Sequence, residues 1–155
     1  MVEEFEGIEK YLRNKDVPPG VAYQIALKNE QCGDFKMALR MYQYVTELLE
    51  GNGEEKVNER TKAWLYTDMG RVLISMKDFG EAARTLRKAR GLLGPHEEDK
   101  EKVLETKFWM GELMYATGKL DAARALYTQI IQEPHREDRF RQALHRIMEM
   151  SAMIR

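Results

Sequence analysis

Candidate catalytic residues are few and widely spaced along the chain. The histidines are His96, His135 and His145, and none has a partner at metal-ligand spacing. Cys32 is the single cysteine, which excludes an internal disulfide and a thiolate metal cage; it falls at a predicted turn and is expected to be half-buried and structural. The segment 51–53 is glycine-rich but lacks the Lys-Ser/Thr pair of a phosphate-binding loop. We therefore expect a protein that is not an enzyme and holds no metal or cofactor.

The composition of the 155-residue chain is typical of a folded, water-soluble protein. Apolar residues make up 43%, and 25 basic residues face 26 acidic ones, giving a net charge of −1. This balance disfavours a dedicated nucleic-acid binder, which usually needs a basic excess. No apolar run approaches the roughly 20 residues that span a bilayer, and the acidic start differs from a secretory signal, so we expect a cytoplasmic protein. The richest basic cluster is expected to be a solvated helix face, with phosphate binding as the alternative; it comprises Arg84, Arg87, Lys88 and Arg90.

An internal repeat organises most of the chain. Three segments share one spacing: a small residue, a bulky apolar residue nine places later, Ala three places after that, and apolar residues four and then three places further on. The residues are Ala26, Phe35, Ala38, Tyr42 and Val45; then Gly70, Phe79, Ala82, Leu86 and Ala89; then Gly111, Leu120, Ala123, Tyr127 and Ile130. A turn sequence precedes each bulky residue, so each unit is predicted to be a helix, a tight turn and a second helix.

Two of the small residues carry a cost that the packing must offset. Gly70 and Gly111 fall within predicted helices, where glycine costs up to about 1 kcal/mol relative to alanine. Close approach of the paired helix, which a side chain would block, is the simplest explanation. Ala38, Ala82 and Ala123 are the corresponding small residues on the second helices. The spacing therefore predicts hairpins whose two helices meet at small residues.

This pattern resembles the tetratricopeptide repeat over roughly residues 18–134, with every apolar signature position filled in three repeats. The repeat distances are 44 residues (Phe35 to Phe79) and 41 residues (Phe79 to Leu120), longer than the usual 34, which long helices at 55–76 and 97–117 would explain. The resemblance implies an all-α, right-handed helical-hairpin solenoid with capping helices at both ends. It divides one domain, 1–155, into an N-terminal helix (1–17), repeats at 18–53, 54–95 and 96–134, and a C-terminal helix (135–155).

The two ends carry amphipathic helices. Residues 2–14 place Val2, Phe5, Ile8 and Leu12 on one face, and residues 136–154 carry a wide apolar stripe that includes Leu144 and Met148. Capping of the solenoid is the first interpretation of both helices. Homodimerisation through the C-terminal stripe is the alternative. Five of the ten methionines are expected to fill gaps in the core, with adaptable Met-rich binding as the alternative: Met37, Met69, Met110, Met114 and Met148.

The first helices of stacked tetratricopeptide units line a concave groove, as the resemblance implies. Because the small residue faces the paired helix, the residues on the other side of the same helix are expected to face the groove. The candidate binding residues are Tyr23, Leu27, Trp64, Asp68, Arg71, Glu105, Phe108, Trp109 and Glu112, with Glu30, Thr67 and Tyr115 beside them. The predicted groove is aromatic because of its tryptophan, tyrosine and phenylalanine side chains. It is acidic because four carboxylates face one guanidinium. It would suit a peptide or helix with apolar and basic residues.

Two other arrangements of these residues stay open. Arg71 could pair with Asp68 along the helix, and the aromatic side chains could belong to the core or be covered by a terminal helix. One known activity of the family, binding of the C-terminal carboxylates of heat-shock chaperones, is disfavoured. Tetratricopeptide co-chaperones bind those carboxylates with Lys, Asn and Arg, and acidic side chains at the same places would repel them. This chain has Tyr23, Leu27, Asp68, Glu105 and Trp109 at the matching places.

The sequence thus predicts a non-catalytic protein-interaction module, an adaptor or scaffold without nucleic-acid or membrane partners. Two alternatives remain: a small secretion-type chaperone for an apolar client segment, and the peptide-sensing domain of a regulator.

Overall fold

The computed structural model describes residues 18–50, 55–95, 99–133 and 137–153, together with Gly7 and Lys10. These residues form seven α-helices and no strand, which confirms the all-α prediction. The helices are α1 (Pro19–Gln31), α2 (Phe35–Glu50), α3 (Glu55–Ser75), α4 (Phe79–Leu92), α5 (Lys100–Ala116), α6 (Leu120–Ile131) and α7 (Glu137–Met153). The predicted N-terminal helix lies outside the described residues, apart from Gly7 and Lys10, which are both helical. No helix of the described ranges combines the length and apolarity needed to cross a membrane.

The long first helices predicted for the second and third repeats are present. Helix α3 has 21 residues and α5 has 17. Helix α5 begins at Lys100, and the predicted start at residue 97 lies outside the described residues. The preceding Asp99 is buried, and its carboxylate accepts a hydrogen bond from the Gly94 amide at 3.1 Å and pairs with Arg60 at 2.6 Å. Asp99 thus fastens the α4–α5 connection to α3.

The three hairpin turns share one backbone geometry. Two residues after the end of each first helix lies a residue with positive φ: Gly33 at 82°, Lys77 at 63° and Gly118 at 79°. The next amide bonds back five residues, from Asp34 to Asn29, from Asp78 to Leu73 and from Lys119 to Met114. The positive-φ residue also bonds back three residues, which completes the Schellman pattern of a helix end. Lys77 adopts the same conformation as the glycines although it carries a Cβ, which marks the middle turn as the strained one.

Close helix approach at the small residues is confirmed. A Cβ placed on Gly70 would lie 2.5 Å from Leu86 Cδ2, and one on Gly111 would lie 2.8 Å from Tyr127 Cε1. Ala38, Ala82 and Ala123 are fully buried in the three hairpins. Close packing of α3 on α4 and of α5 on α6 therefore offsets the helix-propensity cost of Gly70 and Gly111.

Helices pack mainly against their neighbours in the chain, and α3 and α5 also contact the helix two places further on. Side-chain hydrogen bonds link α1 to α3 through Tyr23 and Asp68, and α3 to α5 through Thr67 and Thr106. Arg146 links α7 to α5 through Glu112. Helices α1, α3, α5 and α7 are thus joined in sequence; we call them the odd-helix row.

Helix α7 buries only part of its apolar stripe. Ala143 and Met150 are fully buried against α5 and α6, whereas Leu144 and Met148 are exposed, Met148 by 64%. The prediction that Met148 fills the core is wrong, because the stripe is wider than the surface that covers it. Met37 and Met69 are buried as expected.

Candidate functional site

A guanidinium joins the first two odd-numbered helices. Arg71 of α3 binds Glu30 of α1 through Nε at 2.6 Å and Nη2 at 2.8 Å, and Asp68 through Nη1 at 2.9 Å. The Tyr23 hydroxyl donates to Asp68 at 2.8 Å, and the Tyr42 hydroxyl donates to Glu30 at 2.8 Å. We call these five residues the Arg71 node. The node ties the first hairpin to α3 with two carboxylates that share one cation.

Burial and neighbouring charges together shift the pKa values of Asp68, Arg71 and the two tyrosines of the node. Desolvation raises the pKa of the Asp68 carboxyl, although the charge of Arg71 opposes this rise. Burial lowers the pKa of Arg71, but the hydrogen bond to Glu30 and the charge of Asp68 raise it by more. The net pKa lies above its usual value, so the guanidinium stays charged. Burial and the neighbouring carboxylates also raise the pKa of Tyr23 and Tyr42, which therefore act as donors at neutral pH. The pairing of Arg71 with Asp68 that the sequence left open is confirmed.

The second junction of the row, between α3 and α5, is largely neutral. The buried hydroxyl oxygens of Thr67 and Thr106 lie 2.9 Å apart. Lys102 Nζ lies 4.8 Å from the centroid of the Trp64 ring and 3.2 Å from a Glu105 carboxylate oxygen. Lys102 thus screens one of the carboxylates that the sequence placed in an acidic groove.

The last junction repeats the ionic arrangement with residues of α7. Arg146 binds Glu112 through Nε at 3.0 Å and Glu149 through Nη1 at 2.9 Å. The Tyr127 hydroxyl donates to Glu112 at 2.7 Å, and the Tyr115 ring lies 4.6 Å from the guanidinium carbon. We call these five residues the Arg146 node. The hydrogen bond from Arg146 lowers the pKa of the Glu149 carboxyl. Burial and the hydrogen bond to Glu112 raise the pKa of the Tyr127 hydroxyl.

A cleft of about 360 Å³ lies beside the Arg146 node, between α5 and α7. Helix α5 contributes Phe108, Trp109 and Glu112, and α7 contributes Gln142, His145, Arg146 and Glu149. The Phe108 and Trp109 rings meet edge to face with centroids 5.1 Å apart. We call this space the α5–α7 cleft. It combines an aromatic wall with a charged one.

The predicted site residues occupy one row of helices but differ in exposure. Trp64 is exposed by 44%, and Tyr23, Leu27, Arg71, Glu105, Trp109 and Glu112 are half-buried. Asp68 and Phe108 are buried, so the expectation that they face an open groove is wrong. Asp68 is held inward by Tyr23 and Arg71, and Phe108 packs against Tyr127.

Sequence reasoning missed the cations that neutralise these acids. Lys102 and Arg146 pair with the groove-side carboxylates Glu105 and Glu112, and Glu149 shares Arg146. The spacing Arg146-x-x-Glu149 repeats that of Asp68-x-x-Arg71 in reverse order, which was the available signal. With these partners included, the five carboxylates and three cations at the junctions of the row sum to a formal charge of −2, against −3 for the predicted set.

The structure brings no catalytic constellation together within the described ranges. No group of three or more His, Cys, Asp or Glu residues there could hold a metal ion. Cys32 is exposed rather than half-buried, because it lies at the C-terminal end of α1. His145 is exposed on α7, as expected, and its Nε2 lies 2.8 Å from Glu149. His96 and His135 lie outside the described residues.

Compared by sequence, the chain matches no known protein family and no curated protein.

Proposed function

We propose that this protein is a non-catalytic recognition module that binds a peptide or helix along the odd-helix row. One observation carries the proposal. The exposed large apolar side chains of the described residues are Val21, Trp64, Leu144 and Met148, and all four belong to α1, α3 and α7. Helices α2, α4, α5 and α6 contribute none, so the exposed apolar side chains lie on three of the four helices of the odd-helix row. Such apolar exposure concentrated on one set of elements is typical of an interaction surface.

The proposed architecture is a tetratricopeptide-like, right-handed solenoid of three hairpins, α1–α2, α3–α4 and α5–α6, with α7 as its C-terminal cap. The repeated spacing, the common turn geometry and the helix contacts at Gly70 and Gly111 support it. In such a solenoid the first helix of each hairpin lines the concave face. The odd-helix row would then be the binding groove of an adaptor or scaffold.

The charge of the two nodes favours a partner with both apolar and basic residues. Arg71 and Arg146 are each shared by two carboxylates, which leaves a formal charge of −1 at each node. Aromatic side chains at half-exposed positions add cation–π attraction. We therefore propose a protein or peptide partner rather than a nucleic acid or a membrane.

A display of short random peptides on immobilised protein tests this function. We expect enriched peptides that contain apolar and basic residues and whose binding is weakened at least tenfold by Trp64→Ala. The matched control is Tyr66→Ala: Tyr66 lies on the same helix but about 200° around it, beneath Lys88 of α4. Circular dichroism must show both variants folded. Equal binding by Trp64→Ala and wild type would contradict the proposed surface.

A second candidate function, a small chaperone for an apolar client segment, is favoured by the exposure of Leu144 and Met148 on α7. It would select apolar peptides without basic residues and keep an aggregating client in solution. Homodimerisation would use the same two side chains. Light scattering of wild type and Met148→Lys separates these uses, because only a dimer would lose half its mass in the variant.

A further inference from the structure

We propose that the α5–α7 cleft binds the cationic side chain of a lysine or arginine residue of the partner. This inference rests on the proposed function, because it names the chemical group that one part of the recognition surface holds. The cleft is a distinct place on that surface, built from α5 and α7.

The protein already holds three of its own cations by the same chemistry. Lys102 lies over the Trp64 ring at 4.8 Å and pairs with a carboxylate, Glu105. Arg71 lies 5.8 Å from the Trp109 ring centroid and is bound by two carboxylates. Arg146 lies over Tyr115 in the same manner. An aromatic face beside a carboxylate is a favourable site for a desolvated cation, because the ring quadrupole adds to the charge attraction.

The cleft offers this pair of features with space left for a further cation. Trp109 and Phe108 form its aromatic wall, and Glu112 and Glu149 supply two carboxylates against one guanidinium, Arg146. Apart from His145, whose Nε2 lies 2.8 Å from Glu149, the lining carries a formal charge of −1. A carboxylate has about four acceptor positions. At Glu112 Oε1 the described contact is a long one, 3.3 Å from Arg146 Nε.

Other ligand classes fit this lining less well. A carboxylate or phosphate would face Glu112 and Glu149, whose charges repel it. A neutral apolar side chain would use the rings but leave the lining charge without a partner. A long side chain with an apolar stem and a cationic end satisfies both walls, since its methylene groups contact the rings while its charge meets the carboxylates.

The two tryptophans allow a direct test by nuclear magnetic resonance. The probes are Nα-acetyl-lysine methylamide and Nα-acetyl-arginine methylamide, added to ¹⁵N-labelled protein; the neutral comparator carries an acetylated lysine side chain. Trp64→Phe assigns the two indole signals. We expect a saturable shift of the Trp109 signal with the cationic probes, a much smaller one at Trp64, and none with the neutral comparator. Equal shifts with the acetylated probe, or a shift confined to Trp64, would overturn the proposal.

Two matched substitutions test the carboxylate wall. Glu149→Gln removes a carboxylate paired with Arg146 three residues away, and Glu81→Gln removes one paired with Arg84 at the same spacing outside the cleft. We expect Glu149→Gln to weaken probe binding about threefold or more and Glu81→Gln to leave it unchanged. Equal affinities in both variants would contradict the assignment.

The outcomes separate this inference from the proposed function. If displayed peptides need Trp64 but tolerate replacement of each Lys and Arg by Gln, the row binds its partner and the cleft assignment is wrong. If the cationic probes bind the cleft but no displayed peptide binds the protein, the cleft assignment stands and the proposed function fails.

Discussion

The Arg71 node and the Arg146 node join helices by the same chemistry at different depths. In each, one guanidinium bridges two carboxylates and a tyrosine of the neighbouring hairpin donates to one of them. The side chains of Arg71 and Asp68 are 17% and 4% exposed, whereas those of Arg146 and Glu149 are 34% and 37% exposed. Water therefore competes more for Arg146 and Glu149 than for Arg71 and Asp68, whereas Glu30 and Glu112 are similarly shielded at 17% and 14% exposed. The buried node is therefore suited to hold the fold, and the exposed node is suited to meet a ligand.

The junction between them shows what replaces an ionic node. Leu86 occupies the repeat position of Tyr42 and Tyr127, so at this position the middle hairpin has no tyrosine hydroxyl to orient a carboxylate. The neutral pair Thr67 and Thr106 links α3 and α5 instead. The ionic nodes thus lie towards the two ends of the row.

Loss of the buried guanidinium should have the largest effect. Arg71→Met leaves Glu30 and Asp68 without their cation, and breaking a buried ion pair costs about 3–5 kcal/mol. Arg146→Met should cost less, about 1 kcal/mol, because Arg146 and Glu149 are 34% and 37% exposed and Glu112, although 14% exposed, keeps the hydrogen bond from Tyr127. Urea unfolding of both variants measures the difference.

Arg87→Met, an exposed arginine of α4, controls for the loss of a surface cation and should stay within about 0.5 kcal/mol of wild type. Equal losses in Arg71→Met and Arg146→Met would show that depth does not distinguish the nodes.

Overpacking beside the second node should have the next largest effect. A Cβ at Gly111 would press on the Tyr127 ring, whose hydroxyl is bound to Glu112. The overpacking cost of about 1–3 kcal/mol exceeds the helix-propensity gain of about 1 kcal/mol. We expect Gly111→Ala to lower the free energy of unfolding by up to about 2 kcal/mol in urea titrations, the difference between these two figures.

The control for this substitution is Gly80→Ala in α4, where nothing lies within 4 Å of the added Cβ. It should stabilise the protein by about 0.5–1 kcal/mol, since only the propensity gain applies. If Gly111→Ala stabilised the protein by a similar amount, the Tyr127 ring and the Arg146 node would have to shift to admit the Cβ without an energetic cost.

The sequence predicted the helices and their contacts because spacing reports directly on packing. The three repeat patterns located the turns at Gly33, Lys77 and Gly118 and the close approaches at Gly70 and Gly111, all of which depend on residues near in sequence. The register of one hairpin against the next could not be predicted from the spacing within each repeat. It decides which side chains of the row point inward.

The candidate site was accordingly predicted in position but not in electrostatics. Asp68 was expected in an open groove, yet Tyr23 and Arg71 hold it inside. Glu112 was expected as a free acid, but its partner Arg146 lies 34 residues away on α7. Pairings between distant helices depend on their relative placement, which no local pattern of one sequence contains.

Asp68 should give the buried node a distinct pH response. Burial raises the pKa of its carboxyl above the unfolded value of about 4. Its contribution to stability is then fully present below the unfolded pKa and is lost as the pH rises through the folded pKa. Asn at this position does not ionise. The free energy of unfolding of Asp68→Asn, minus that of wild type, should therefore increase as the pH is raised from about 4 towards neutrality; a flat or falling difference would contradict the role of burial.

Glu149 should give the exposed node the opposite and smaller response. The hydrogen bond from Arg146 lowers the pKa of this carboxyl, so its contribution is present above the unfolded pKa and is lost as the pH falls through the folded pKa. The unfolding free energy of Glu149→Gln, minus that of wild type, should decrease as the pH rises towards about 4.3, and added salt should flatten this slope. Slopes of the same sign at Asp68 and Glu149 would mean that the two nodes are electrostatically alike. Opposite signs would mean that ionisation of the carboxyl opposes folding at the buried Asp68 and supports folding at the exposed Glu149. Burial would then decide the effect of the charge in two similar arrangements of guanidinium, carboxylates and tyrosine.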